Sequence, residues 1–378
     1  MPITLGVPRE TVPGETRVAL VPELAQKFAA LGVRVLMERD AGLQAQFPDS
    51  AYRNVELADA ATVYREGQLV LKVQPPTIEE VGRLRERCVY AGFLQAHNNL
   101  AQVKALNARQ VTAFAMELIP RISRAQSMDA LSSQAAVAGY KAVLIAANTL
   151  DRFLPMLTTA AGTIRPALVL VIGVGVAGLQ AIATARRLGA IVEAYDVRSA
   201  TKEQVKSLGA KFIDTGISAE GSGGYARELT PEERAKQQAV LDARIAAADA
   251  VITTAGVPGR PAPRIVSRAA VERMKPGAVI VDILAENGGN CELTRAGTTV
   301  EHNGVRIVGP VNLPALLAYH ASEMYSRNLY NFLAPALKGG ELAIDWNDEV
   351  FAGAVLTRDG TVRHAPTAQL LGNGGTSS

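Results

Sequence analysis

Residues 168–196, LVLVIGVGVAGLQAIATARRLGAIVEAYD, constrain this chain more than any other stretch. An apolar run of β-formers (168–172) enters a loop with glycines at 173, 175 and 178. A small-residue amphipathic segment (179–188) follows, and a second apolar run (190–195) ends on Asp196. The periodicity predicts strand, helix, strand, a βαβ unit. Gly173 permits the tight turn, Gly175 lets the backbone approach a pyrophosphate, and Gly178 lets helix pack on strand. The helix N-terminus offers free N–H groups and a partial positive charge to phosphate, with Val176 of the loop in the expected contact set. Asp196 lies 18 residues beyond Gly178, about where a carboxylate receives the adenosine ribose hydroxyls and repels a 2′-phosphate. A bare glycine motif also arises for packing alone. With strand, helix and acid in agreement, the reading is dinucleotide binding, NAD(H) rather than NADP(H). Val197 and Arg198 complete the expected contact set, Arg198 as a solvated arginine lying over the adenine.

Composition narrows the setting. A length of 378 residues suits two domains, and 48% hydrophobic residues with 33 glycines suit an α/β enzyme rich in tight turns. The formal net charge of +3 comes from scattered basic residues, so no nucleic-acid partner is expected. Cys88 and Cys291 have no partner spacing and read as reduced, buried thiols, with no metal site. The stretch MPITLGVPRE lacks the charged segment and long apolar core of a signal peptide, and no apolar run is expected to reach the ~20 residues of a membrane span, the best candidates being broken by Lys141, Asp151 or the glycine loop.

Residues 1–135 alternate strand and helix patterns, with strands at 3–7, 33–38, 69–73, 89–94 and 111–116 and a helix at 22–31. Thr77 and Glu80 stand at capping-box spacing. Residues 134–150 read as a long apolar helix leading into the glycine-loop domain. That domain continues through strands at 211–213, 250–254, 278–283 and 305–308, roughly six in all. The glycine-rich stretch 218–230, carrying Gly224 and Tyr225, reads as a mobile flap. A second long helix spans 315–337, residues 349–364 read as a β-hairpin, and the tail from Leu370 as frayed. The expected fold is α/β: two Rossmann-like, doubly wound parallel-sheet domains joined by two long helices. The first is discontinuous (1–135 plus 325–378) and the second (136–324) binds NAD(H).

Chemistry is harder to place. None of His97, His302, His320 and His364 sits in a catalytic motif. The most polar compact stretch, 120–134, gathers Arg121, Arg124, Gln126, Asp129, Ser132 and Ser133. By composition alone it reads first as an N-cap and a solvated first turn.

The segments RISRAQSMDALSSQAAVAGYKAV, TTAAGTIRPALVLVIGVGVAGLQAIATARRLGA, GSGGYARE and VDILAENGGN together closely resemble the NAD(H)-binding component of proton-translocating nicotinamide nucleotide transhydrogenase. The likeness spans nearly the whole chain. More distantly the chain is similar to alanine dehydrogenase, from GVPRETVPGETRVALVPE onward. The second resemblance matches substrate-binding positions at Arg17 and Lys72. It fails at the catalytic histidine, where this chain reads Phe93-Leu94-Gln95, and at an aspartate replaced by Glu286. Glutamine carries no proton near neutral pH, so amino-acid dehydrogenation loses its acid/base, and Arg17 and Lys72 read as structural remnants. Transfer between two nicotinamides needs no such group. The transhydrogenase resemblance implies Arg121, Gln126, Asp129 and Ser132 at the nicotinamide, Tyr225 on a closing loop, and Gly256 letting the backbone approach the ribose. Asp129 and Ser132, three apart, would offer an acceptor and a donor to the carboxamide. It also implies a homodimer, an NADP(H)-binding partner subunit, and a membrane-embedded subunit that moves protons. The chain would then be cytoplasmic, held peripherally at the inner face of the cell membrane. Ending at Ser378 without membrane helices, it would belong to a split-subunit arrangement. The alternatives are a free-standing amino-acid dehydrogenase and a non-enzymatic NAD(H)-sensing module.

Overall fold

The computed structural model describes residues 2–216, 230–257 and 259–373; the expected flap contacts Gly224 and Tyr225 lie outside them. The chain divides into two compact units, Met1–Gln134 with Pro314–Ser378, and Ala135–Leu313.

The first unit is built on an eight-stranded sheet in the order Thr361–Val362, Val355–Arg358, Thr112–Ala115, Val89–Gly92, Leu69–Leu71, Thr4–Val7, Arg34–Glu38, Glu56–Ala58. The six strands from Thr112–Ala115 to Glu56–Ala58 are parallel. Parallel strands are covered on both faces, and side chains alternate accordingly: Leu69 and Leu71 enter one core cluster, Val70 the other. The return helix Ala318–Leu333 adds Tyr325, Leu329, Phe332 and Leu333 to the first of these. The Thr77/Glu80 capping box forms as its spacing predicts.

Three local expectations are corrected here. Residues 349–354 form a helix, Glu349–Ala354, rather than a strand, because Asp348 caps it through the Val350 N–H (2.7 Å) and Val350, Phe351 and Ala354 turn inward. The hairpin is confined to Val355–Arg358 and Thr361–Val362, turning on Asp359 and Gly360, both at positive φ. Leu370 and Leu371 are helical rather than frayed, within Ala365–Asn373, and Leu371 packs on the core beside Val103 and Leu106.

The second unit carries a seven-stranded sheet ordered Lys211–Phe212, Ile191–Tyr195, Leu168–Ile172, Ala250–Thr253, Val279–Asp282, Val305–Val308, Thr299–His302. Only the last pairing is antiparallel, and it supplies a strand beyond the six expected. Val169 and Val171 face one cluster, Leu170 and Ile172 the other.

The helix Ala130–Thr149 contains the division between the units. Contrary to the expectation that no run suffices, its length and composition would allow it to cross a membrane. Ala142, Val143 and Ala146 are nonetheless buried against the second unit's sheet. At Gly139 an added Cβ would lie 2.1 Å from the Ala177 carbonyl oxygen, so only glycine admits the helix this close. Both cysteines are buried free thiols, and burial pushes Cys88 up to about 12.

Candidate functional site

In an open parallel sheet, ligands bind beyond the carboxyl ends of the strands where the strand order reverses. In the second unit that point lies between Leu168–Ile172 and Ala250–Thr253, and the glycine loop leaves the first of these strands. Gly173 has φ +94°, a conformation L side chains rarely adopt. At Gly178 an added Cβ would stand 1.9 Å from the Gly173 carbonyl oxygen, which makes it the residue that lets helix Val176–Arg187 close on the strand. Gly175 differs from both: it is exposed, and nothing lies within 4 Å of the position a Cβ would take. It is also the N-cap, with no side chain bonding the first-turn N–H groups. A helix of twelve residues thus ends at an open cradle of free donors, which fits a pyrophosphate.

Asp196 is buried at the end of the neighbouring strand, and its carboxylate is fully engaged. It accepts the Val174 N–H (2.7 Å), the Arg198 N–H (2.9 Å), and the Arg198 guanidinium through Nε and Nη2, both at 2.8 Å. This corrects the expectation for Arg198, which is not a solvated arginine lying outward. It is about a quarter exposed and forks onto Asp196, because the short Asp-Val-Arg link puts the planar guanidinium within bidentate reach. Val197 is half-buried beside the second core cluster.

The opposite wall of the reversal point is the segment after Ala250–Thr253. Thr254 donates its hydroxyl to the Gly173 carbonyl (3.0 Å), tying the two loops together; the apolar strand ending in consecutive threonines was the unused signal for it. An added Cβ at Gly256 would meet Leu284 Cδ1 at 2.3 Å, so this glycine has a packing reason of its own. Tyr195 ends the strand next to Asp196 with its hydroxyl buried and interacting with the Thr215 side chain, and burial pushes that phenol up to about 12.

In the first unit, Asp129 acts as N-cap of the helix Ala130–Thr149. Its Oδ1 accepts the Ser132 N–H (2.9 Å) and its Oδ2 the Ser132 hydroxyl (2.6 Å). The pair that the sequence offered as separate acceptor and donor therefore bond to each other. Gln126 is exposed and its side-chain amide makes no hydrogen bond to the described residues; Arg121 is exposed as well. The stretch is fastened to the return helix: Asn328 donates to the Ser127 carbonyl (2.9 Å), Ser133 bonds Asn328 (2.6 Å), and Gln134 donates to the Ala321 carbonyl (3.1 Å). Arg124 pairs with Asp348.

Arg17 and Lys72 are closed in by carboxylates. Glu15 takes the Arg17 guanidinium through both oxygens, at 2.8 and 2.6 Å, and Gln134 accepts from its Nη1. Lys72, with no exposed surface, lies 2.8 Å from Glu80 and 3.5 Å from Glu10. Burial pushes the Glu10 carboxyl up, whereas Lys72 holds Glu80 below the usual range against the same effect. Gln95 is exposed at φ +43°, its N–H donated to Glu117 (2.6 Å), a carboxyl that burial pushes up. Glu286 is exposed and accepts the Asn312 N–H (3.0 Å). Among the described residues no cluster of histidine, cysteine or carboxylates suits a metal.

Family models for the N-terminal and C-terminal domains of alanine dehydrogenase/PNT match residues 6–138 and 142–365. The chain is 46% identical over 374 residues to the first part of NAD(P) transhydrogenase subunit alpha of Rhodospirillum rubrum, covering 95% of this chain and 97% of that one. To alanine dehydrogenase of Bacillus subtilis it is 30% identical over 382 residues, covering 97% and 94%. The crystal structure of transhydrogenase from Sinorhizobium meliloti superposes with a TM-score of 0.87 at 45% identity, covering 95% of this chain and 99% of that one. The chain belongs to the alanine dehydrogenase/PNT family, on its NAD(P) transhydrogenase alpha-subunit side, as an oxidoreductase component.

Proposed function

We propose that this chain binds NAD(H) and exchanges a hydride directly with NADP(H) held by a partner subunit. The carrying observation is the contrast at residue 95: a chain of dehydrogenase architecture has glutamine, exposed and unable to shuttle a proton, where the alanine dehydrogenases it resembles place their histidine. In a transfer between two nicotinamides no proton moves at the reacting carbons, so nothing is missing. The nucleotide supplies or takes the hydride; the protein binds and orients it.

In this reading the glycine loop and the N-terminus of Val176–Arg187 hold the pyrophosphate, and Asp196 takes the ribose hydroxyls in exchange for part of its bonding to Arg198. The neutralised Asp196–Arg198 pair weakens simple repulsion as the reason for excluding a 2′-phosphate. Exclusion then depends on the pair staying closed. Arg121, Gln126, Asp129 and Ser132 serve the nicotinamide and its carboxamide, Gln126 with its uncommitted amide. Gly224, Tyr225 and Gly256 complete the contact set.

A homodimer is part of the proposal. The hairpin Leu157–Thr159 and Gly162–Ile164 exposes every residue, Leu157 and Ile164 included, with Phe153 and Met156 exposed beside it. A two-stranded hairpin is marginal in water by itself, which supports a protein neighbour. An NADP(H)-binding subunit, a membrane-embedded subunit and a peripheral cytoplasmic location on the inner membrane face are part of the same proposal; the name borne by the relatives, a subunit alpha, supports the existence of partner subunits.

The test mixes this chain with NADH and an isolated NADP(H)-binding transhydrogenase domain and follows hydride exchange. Exchange is expected. Consumption of NADH with pyruvate and ammonium instead would make it an amino-acid dehydrogenase, and NADH binding without either reaction would make it a sensor.

A further inference from the structure

The motif VDILAENGGN has no part in the hydride exchange proposed for the chain, yet its last residue, Asn290, has no exposed surface and spends every polar atom on backbone. Its Nδ2 donates to the carbonyls of Ala255 (2.7 Å) and Pro263 (2.8 Å), and its Oδ1 accepts the Ala255 N–H (3.1 Å). One side chain therefore satisfies both main-chain groups of Ala255, the residue following Thr254. Its own carbonyl accepts from the N–H groups of Ile265 (2.8 Å) and Val266 (3.0 Å), so the amide projects from a pinned backbone. Upstream, buried Asp282 accepts the Cys291 N–H (3.0 Å) and the Thr294 hydroxyl (2.7 Å), while Gly288 and Gly289, at φ +95° and +78°, turn the chain back. An added Cβ at Gly289 would lie 2.7 Å from Asp282 Oδ2, so the turn requires glycine.

The chain of contacts continues to the nucleotide loop. Asn290 fixes Ala255; the adjacent Thr254 bonds Gly173; an added Cβ at Gly173 would stand 2.8 Å from Ala255 N. The two backbones that form the walls of the reversal point are thus in contact, and one is set by Asn290. We infer that Asn290 is a positioning residue for the dinucleotide: it touches no ligand and fixes the backbone at 254–257 as the wall facing the glycine loop. This role rests on the chain binding a dinucleotide there.

Removing the amide strands two carbonyls and one N–H, enough to weaken binding about tenfold. The test measures NADH dissociation constants by fluorescence for wild type, Asn290→Ala and Asn290→Asp, with thermal unfolding and circular dichroism alongside, well below each Tm. Asn290→Asp keeps the shape but turns a donor pair into acceptors facing two carbonyls, and protonation restores one donor. Its NADH affinity is expected to rise as pH falls, while wild type stays flat over the same range. The inference is overturned if folded Asn290→Asp binds NADH as wild type does at every pH, with only Tm lowered, which is the signature of a purely structural role. Should Asn290→Ala not fold, Asn290→Asp carries the decision. Wild type failing to bind NADH at all would instead overturn the dinucleotide reading.

Discussion

Both units are parallel sheets covered on two faces and both close buried charge, as Arg198 does for Asp196 in the second, yet they differ in the backbone they leave open. The first buries charge and closes it: Lys72 between Glu80 and Glu10, Arg17 in the fork of Glu15, Glu117 on two loop N–H groups. The second keeps backbone open. Its glycine-loop helix begins on an uncapped, exposed glycine, with unobstructed space where a side chain would be. A closed cluster of buried charge stabilises the fold, whereas helix N–H groups left unmatched at a strand reversal are prepared for an anion. The proposal of a nucleotide held by the second unit follows from this contrast, and variants can be ranked by how hard they strain it.

The largest effect is expected from Gly178→Ala. The new Cβ would fall 1.9 Å from a backbone carbonyl that no side-chain motion relieves, so helix and strand must separate at the cradle. NADH titration should show no saturable binding at concentrations that saturate wild type. Normal binding would mean the close approach is not what shapes the site. Lys72→Met comes next and should act on stability alone. Two buried carboxylates lose their cation, a change that costs about 3–5 kcal/mol when a buried pair is broken. Denaturant unfolding should record it, with the NADH dissociation constant of the remaining folded protein unchanged. A Lys72→Met protein that is stable but fails in hydride exchange would give the closed charge cluster a part in the exchange and not in stability alone.

Asp196→Ala separates two roles of one carboxylate. It removes the ribose acceptor and frees Arg198 from its fork, so NADH should bind about tenfold more weakly, as expected for losing a charged hydrogen-bond partner. The released guanidinium should at the same time improve NADPH binding relative to NADH. Unchanged affinity for both would remove Asp196 from the site.

The features legible in sequence are those governed by local periodicity and backbone geometry. The strand of residues 168–172, the three loop glycines and the Thr77/Glu80 capping box each follow from a few adjacent residues. The helix Glu349–Ala354 is not legible because EVFAGAVL satisfies strand and helix patterns equally over so few residues, and the capping carboxylate of Asp348 decides. Arg198 escapes for a different reason: its partner is two residues away, but the bidentate geometry depends on how the strand ends. Asn290 carries no signal, since what singles it out is burial and the backbone partners contributed from elsewhere in the unit.

The smallest effect asked of the comparison is a pH dependence in the closed unit. Glu117 accepts the Leu94 and Gln95 N–H groups, but burial outweighs those bonds and raises its pKa above the ordinary 4.5. For an acid raised in the folded state, the stabilising contribution is complete below the unfolded pKa and disappears as pH rises through the folded value. Glu117→Gln removes the titration while keeping an oxygen to accept one N–H. Wild type should therefore lose stability relative to Glu117→Gln as pH is raised from below 4.5 toward neutrality. Paired denaturant titrations measure the difference, from which groups common to both proteins cancel. A difference that runs the other way would mean that the two loop N–H groups hold Glu117 ionised. The turn bearing Gln95 would then be organised around a charge, making the first unit less closed than its paired residues indicate.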